Sequence, residues 1–314
     1  MEWYYIVLIV ILSLLLIILL TSYICYKMTF YSNNNPYKRT DEITIPKGSL
    51  YEDFKDVIVK DVMYARSFNP KEYEIISFDN LTLKAKYYEY KKGAPIEIML
   101  HGYRGYGERD MSTGVRRAFE CERNALVVDQ RASGYSEGKI ITFGVKECKD
   151  CLSWVDFVIK EFGNDVKIIL TGVSMGAATV CNASGCNLPK NVVGVLADCG
   201  YNDPGDIIKK VIVDMHLPPK LLYPFIKLGA RIFGHFNLEE MTPNEQVKKA
   251  QVPIIFYHGG KDELVPHHMS KKLYDACASR KKFVTIEEAK HGISYIVEPI
   301  KYVTELKEFF KDIK

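Results

Sequence analysis

Apolar and polar positions divide the chain into three stretches. Trp3 to Tyr26 is 24 residues without a charge; as one helix it would run about 36 Å, enough to cross a hydrocarbon core of about 30 Å. Residues 32–41, Ser-Asn-Asn-Asn-Pro-Tyr-Lys-Arg-Thr-Asp, are polar and turn-rich, which suits a juxtamembrane linker. Apolar residues then return at helical spacing over 50–67, at Tyr51, Phe54, Val57, Ile58, Val62 and Met63, and predict a helix packed on a domain edge.

From Glu72 the pattern becomes short strands and turns. Tyr73–Ile76 and Leu81–Tyr90 predict a hairpin around Asp79-Asn80. Beyond it, apolar runs alternate with helical patterns. Ile96–Leu100 precedes a helix near Met111–Cys121, Ala125–Asp129 one near Val145–Phe162, and Val166–Leu170 a helix opening near Met175. Val192–Ala197 leads into a long insertion, Pro253–Tyr257 into Met269–Ala278, and Phe283–Ile286 into a last helix near Pro299–Phe310. Such alternation predicts an α/β domain with a mainly parallel sheet covered on both faces, the hairpin adding antiparallel strands at one edge. Residues 201–250 interrupt it with apolar helix and proline turns, and are expected to overhang the crevice at the strands' carboxyl ends as a lid. The expected organisation is a transmembrane anchor over 1–28, a linker and helix over 29–71, and an α/β domain over 72–314 with the lid at 201–250.

Composition changes this picture little. With 314 residues, 47% hydrophobic, 26% charged and a net charge of +3, the chain has material for one large domain and no dense basic stripe that would argue for nucleic acid. Eight cysteines are scattered through apolar patterns, which reads as buried thiol and not as a disulfide framework. Cys148 and Cys151 of a C-x-x-C share the apolar face of a helix with Val145, Leu152, Val155 and Val158, so core packing is expected there and no metal. For residues 3–26 the rival to an anchor is a cleaved signal peptide. Only Glu2 is charged ahead of the run, and Tyr23, Ile24 and Tyr26 spoil a small-residue cleavage site, so an anchor is expected. Trp3, Tyr4 and Tyr5 at one end and Tyr23 and Tyr26 at the other are placed like interfacial aromatic belts. Lys27, Lys38 and Arg39 favour a single-pass cell-membrane protein with its domain in the cytoplasm.

The chemistry centres on Ile168-Ile-Leu-Thr-Gly-Val-Ser174-Met-Gly-Ala-Ala178, where strand formers run into Gly-x-Ser-x-Gly and then helix formers. That is the strand, sharp turn and helix of a nucleophile elbow, with Ser174 as nucleophile. The order nucleophile, acid, base then selects Asp262, 88 residues on, and His291, a further 29 on, each just past an apolar strand. Asp198 and Glu263 compete for the acid, and His267 and His268 read as residues of a helix's first turn. A second Gly-x-Ser-x-Gly, around Ser136, lacks the strand-turn-helix context and is expected to be a structured loop together with Arg131 and Gly134. Leu100-His-Gly-Tyr103-Arg-Gly105 follows a strand where an oxyanion hole belongs, so its donors are expected to be the backbone N–H groups of Tyr103 and Met175. His101 is expected to orient that loop.

With these motifs assembled, the chain from about residue 72 resembles the α/β-hydrolase superfamily of serine hydrolases. His101-Gly-Tyr-Arg-Gly, Asp129-Gln-Arg-Ala-Ser-Gly-Tyr-Ser136, Gly172-Val-Ser-Met-Gly176, Asp262 and Lys290-His-Gly292 look most like its prolyl-oligopeptidase and serine-aminopeptidase-related branch. Ala289-Lys290 departs from the small residues that relatives often carry before the base. The resemblance implies a cofactor-free Ser-His-Asp enzyme with Ser174, Asp262 and His291 as triad. The expected function is hydrolysis of an acyl ester or thioester through an acyl-enzyme, on a small-molecule or peptide acyl substrate with a hydrophobic part. Peptidase action on short peptides is the alternative, and a non-catalytic binding protein of the same fold is the reading of another class.

Overall fold

A computed structural model describes residues 2–34, 42–45 and 51–312. Parts of the expected linker and of the start of the expected helix, 35–41 and 46–50, lie outside the described residues. Eight strands form one sheet: β1 (Lys71–Ile76), β2 (Thr82–Tyr88), β3 (Ile96–Leu100), β4 (Asn124–Asp129), β5 (Ile168–Val173), β6 (Val192–Asp198), β7 (Ile254–Gly259) and β8 (Lys281–Ile286). Their order is β1-β2-β4-β3-β5-β6-β7-β8. The β1–β2 and β2–β4 pairs are antiparallel, and all pairs from β4 through β8 are parallel. From β3 the chain goes outward to β4 and then crosses back to β5. The switch point therefore lies between β3 and β5, where an open α/β sheet binds its ligand.

Alternation along the central strands builds the two faces. Ile96, Ile98 and Leu100 of β3, with Ile168 and Leu170 of β5, pack under α4 (Val145–Phe162) and α5 (Met175–Ser184), in a core holding Cys148, Cys151 and Trp154. Ile169 faces the other way, toward α11 (Pro299–Phe309), and Met99 toward α3 (Gly107–Glu120). Glu97 points to that second face and is fully buried. Arg117 meets it at 2.6 Å, Arg123 at 2.8 Å, and the Thr171 hydroxyl at 2.9 Å. Burial opposes its charge, but the two guanidiniums hold its carboxyl below the usual range.

Several boundaries differ from the sequence pattern for local reasons. α3 begins at Gly107, four residues early, because the Asp129 carboxylate accepts the Gly107 N–H at 2.7 Å and fixes the first turn. β5 runs on to Val173, so the strand ends directly at Ser174. The helix expected over 50–67 is a short 3-10 turn, Glu52–Phe54, followed by α2 (Lys55–Arg66).

The insertion folds as α6 (Pro204–Asp214), α7 (Pro219–Ile232) and α8 (Pro243–Val247), each with proline in its first turn; α9 (His267–Ala276) follows β7. Asp203 caps α6 by accepting from Gly205 N–H at 2.6 Å.

The apolar run is α1 (Trp3–Thr29), which by length and composition is fit for either a membrane anchor or a signal sequence. Most of it is exposed, but its last turns enter the domain: Ser22, Tyr26 and Phe30 are buried. A Cβ on Gly229 of α7 would sit 2.4 Å from the Ser22 carbonyl oxygen, so the two helices touch backbone to backbone. Tyr26 therefore packs against α7. Packing is continuous across residue 28, the expected end of the anchor.

Candidate active site

Ser174 sits between β5 and α5 with φ 57° and ψ −117°, a conformation that is strained for a residue with a side chain. The turn closes only around glycine. A Cβ on Gly172 would lie 2.1 Å from the Gly176 carbonyl carbon, and one on Gly176 would lie 2.0 Å from the Leu100 carbonyl oxygen. That second contact presses the β3 loop against the elbow, and a Cβ on Gly102 would touch Ser174 Cβ at 3.5 Å. Met175 opens α5, so its N–H is one of those a helix leaves unpaired at its start. The neighbouring Tyr103 turns its ring away, its hydroxyl donating to the Thr29 carbonyl at 2.7 Å, while Arg104 donates to Met28 O at 2.7 Å.

Asp262 follows β7 and His291 follows β8. His291 Nδ1 lies 2.7 Å from Asp262 Oδ2, with both side chains buried. The other carboxylate oxygen accepts the Leu264 and Val265 N–H groups at 3.0 and 2.9 Å. Burial alone would raise this acid, but the hydrogen bonds from His258 and His291 carry it well below the usual carboxylate range. The competing acids have other work. Asp198 accepts from Tyr302 Oη at 3.0 Å and Ser294 Oγ at 3.2 Å and is pushed up by burial, and Glu263 is exposed. His267 bonds Thr285 Oγ1 at 3.0 Å, and His268 is exposed.

Sequence reasoning missed three residues. Cys199, just past β6, has its thiol within 4.8 Å of ligand atoms of Asp262 and His291, and its neighbour Asp198 accepts the Ser174 N–H on its carbonyl at 2.9 Å. The end of β6 thus lies between the elbow and the histidine loop; burial pushes the Cys199 thiol well up, away from the thiolate. His258 places Nε2 3.3 Å from Asp262 Oδ2 and 2.8 Å from the Val265 carbonyl, with Nδ1 2.7 Å from Ser270 Oγ. Tyr51 reaches from the segment before α2, with its hydroxyl 4.0 Å from a Cβ built on Gly292. His258 and Cys199 lie one and two residues past the apolar runs 253–257 and 192–197, and no spacing rule marks which of the positions there turns toward the site.

The remaining motifs are structural. Ser136 is fully buried, its hydroxyl donating to Asp129 O at 2.5 Å and accepting the Lys84 N–H at 2.8 Å. Arg131 bridges Asp150 at 2.6 Å and Asp79 at 2.9 Å. His101 accepts the Gln130 N–H on Nε2 at 3.0 Å and places Nδ1 2.8 Å from Gly102 O; burial keeps it neutral and it ties the β3 and β4 loops together.

Comparison with known proteins agrees with this architecture. A family model described as serine aminopeptidase, S33, matches residues 227–298, a stretch containing Asp262 and His291 but not Ser174. An uncharacterized Bacillus subtilis protein, YqkD, is 26% identical over 192 residues, covering 60% of this chain and 63% of its own length, somewhat under two thirds. The Pyrococcus furiosus esterase Pf2001 superposes with a TM-score of 0.63 at 21% identity, covering 87% of this chain and 99% of that one. The acylaminoacyl peptidase of Pyrococcus horikoshii gives 0.57 at 17% identity, covering 77% of this chain and 41% of that one. The chain has the α/β-hydrolase fold.

Proposed function

We propose that this α/β-hydrolase is a membrane-anchored serine hydrolase that cleaves an acyl ester or thioester through an acyl-enzyme intermediate. The observation that carries the reading is the buried 2.7 Å pair of His291 and Asp262, on the sheet edge that holds Ser174 in its strained turn. In this mechanism Ser174 Oγ attacks the acyl carbonyl as His291 Nε2 takes its proton, and Asp262 holds Nδ1–H and stabilises the imidazolium. The Tyr103 and Met175 N–H groups receive the oxyanion, each contributing on the order of 3 kcal/mol to the barrier. His291 returns the proton to the leaving alcohol or thiol, and water then opens the acyl-enzyme by the same steps reversed.

Two features support an apolar acyl part and a retained anchor. One hydrophobic cluster joins Met175 to Tyr26 of α1, to Phe30 just after it, and to Ile207, Ile208, Ile226 and Ala230 of α6 and α7. Removing α1 as a leader would strip Tyr26 and Phe30 from that cluster. Lys27, and Arg104 bonded to the last turn of α1, put positive charge on the domain side, which favours a cytoplasmic domain.

The test is a hydrolysis panel graded by acyl length and matched with peptide amides. Esters or thioesters of longer acyl chains are expected to be preferred, and Ser174→Ala is expected to lower turnover at least about 10⁴-fold while the fold persists. Preference for peptide amides over matched esters would instead establish a peptidase.

A further inference from the structure

The corner between α6 and α7 exposes an apolar surface that the triad does not use. Val213, Met215, Leu217 and Leu221 are 41–60% exposed and follow one another around Leu217-Pro-Pro219. Its place is set by how α7 meets α1. Gly229 sits on Ser22 and Tyr26, the Phe233 ring lies 5.1 Å from Tyr23 and 5.8 Å from Tyr26, and Phe236 lies 5.1 Å from Phe30. α7 thus meets α1 at residues 22–26, the turns by which its exposed length, residues 2–20, enters the domain. The ten residues from Gly229 back to Pro219 rise about 15 Å, so the corner lies within about 15 Å of the point where α1 leaves the domain. The small residues Gly229 and Ser22 lock this arrangement by letting the backbones approach closely, as helices do within membranes.

We propose that the α6–α7 corner, residues 213–221, rests in the interfacial layer of the bilayer that α1 crosses, so that its partner is the lipid surface and the apolar cluster behind it leads acyl chains from the membrane to Ser174. The proposal rests on reading α1 as a membrane span. The polar groups of the corner suit an interfacial depth and not the hydrocarbon centre. Asp214 is held by Lys210 at 2.6 Å, Lys209 lies over the Tyr223 ring at 4.5 Å, and the long stems of these lysines and Lys220 let their ammoniums reach headgroup phosphates. The packing behind the corner is apolar. Ile207, Ile208 and Ile212 of α6 share one cluster with Met175, the residue after the nucleophile, and with Val265 beside Asp262.

The full-length protein in phosphatidylcholine vesicles provides the test. In a Trp3→Phe background, and with the signal of buried Trp154 measured in that background alone and subtracted, an indole introduced by Leu221→Trp is compared with one introduced by Tyr90→Trp, at an exposed position just past β2. Lipids brominated near the carbonyl are expected to quench the indole at position 221 several-fold more than that at position 90. Retained fluorophosphonate labelling verifies that each variant is folded. Alkaline carbonate extraction separates the two levels: release of the chain removes the anchor reading itself. Retention with equal quenching at the two positions overturns only the corner proposal. An indole at 221 that is unquenched by lipid yet shielded from acrylamide means that protein, such as a second copy, covers the corner, and overturns the proposal as well. As a second measure, Leu217→Glu with Leu221→Glu is expected to lower hydrolysis of a vesicle-dissolved long-chain ester at least 10-fold while leaving that of a short water-soluble ester within about 2-fold. Equal losses on both esters contradict the proposal.

Discussion

At the residue scale, two buried carboxylates show how environment assigns roles to similar side chains. Asp262 is held by two histidines and two backbone N–H groups, so its folded-state pKa lies below its unfolded value near 3.9. A depressed carboxylate stabilises the fold above the unfolded pKa, and that stability is lost as pH falls through the folded pKa. Wild type is therefore expected to lose melting temperature relative to Asp262→Asn progressively as pH falls below about 5, and to keep a constant advantage above it; a difference flat across pH 2–7 would refute the assignment. Glu97, clamped by Arg117 and Arg123, is expected to cost about 3–5 kcal/mol in urea unfolding when changed to Ala, because two guanidiniums are left buried without their partner. The proposed triad was read from order and motif alone, since Ser174, Asp262 and His291 each follow an apolar strand, and the structure sets His291 beside Asp262. Glu97 and His258 were not legible in this way. Glu97 lies inside a strand run and His258 one residue past one, and only the three-dimensional neighbours, arginines from α3 and its following loop or an aspartate four residues on, give such a side chain its meaning.

At the element scale, the end of α1 packs against the loop that leads into the candidate site. Thr29 and Met28 present carbonyls to Tyr103 and Arg104, the loop that carries one proposed oxyanion donor, and Phe30 packs between Phe143 and Phe236. Tyr103→Phe is expected to lower kcat/KM on a short soluble ester about 5-fold, in line with about 1 kcal/mol for one hydrogen bond, with little change in folding. Phe30→Ala is expected to destabilise the domain by about 3 kcal/mol through the cavity it leaves. If both changes are silent on soluble substrate, α1 is only a tether. The sequence announced α1 as an apolar run but not this contact. The run's uniform hydrophobicity has no stripe to mark a packed face, and Gly229, which admits it, lies 207 residues after Ser22.

At the scale of the molecule, the alternation of apolar runs with helical patterns was enough to place a parallel sheet, its antiparallel edge and an insertion after β6, because each of those depends on local periodicity. The order of strands does not. It follows from the crossover between β3 and β5, which brings the Gly102–Tyr103 loop against Ser174 and makes one crevice of loops far apart in sequence. In the account proposed here, that crevice traps an acyl group on a single serine beside a membrane. The most direct measurement is peptide mapping by mass spectrometry of the full-length protein, acid-quenched during turnover of a long-chain ester. The account predicts an acyl adduct on the peptide carrying Ser174, accumulating with a burst and missing from Ser174→Ala. An adduct on another residue, or turnover that persists in Ser174→Ala, would contradict it.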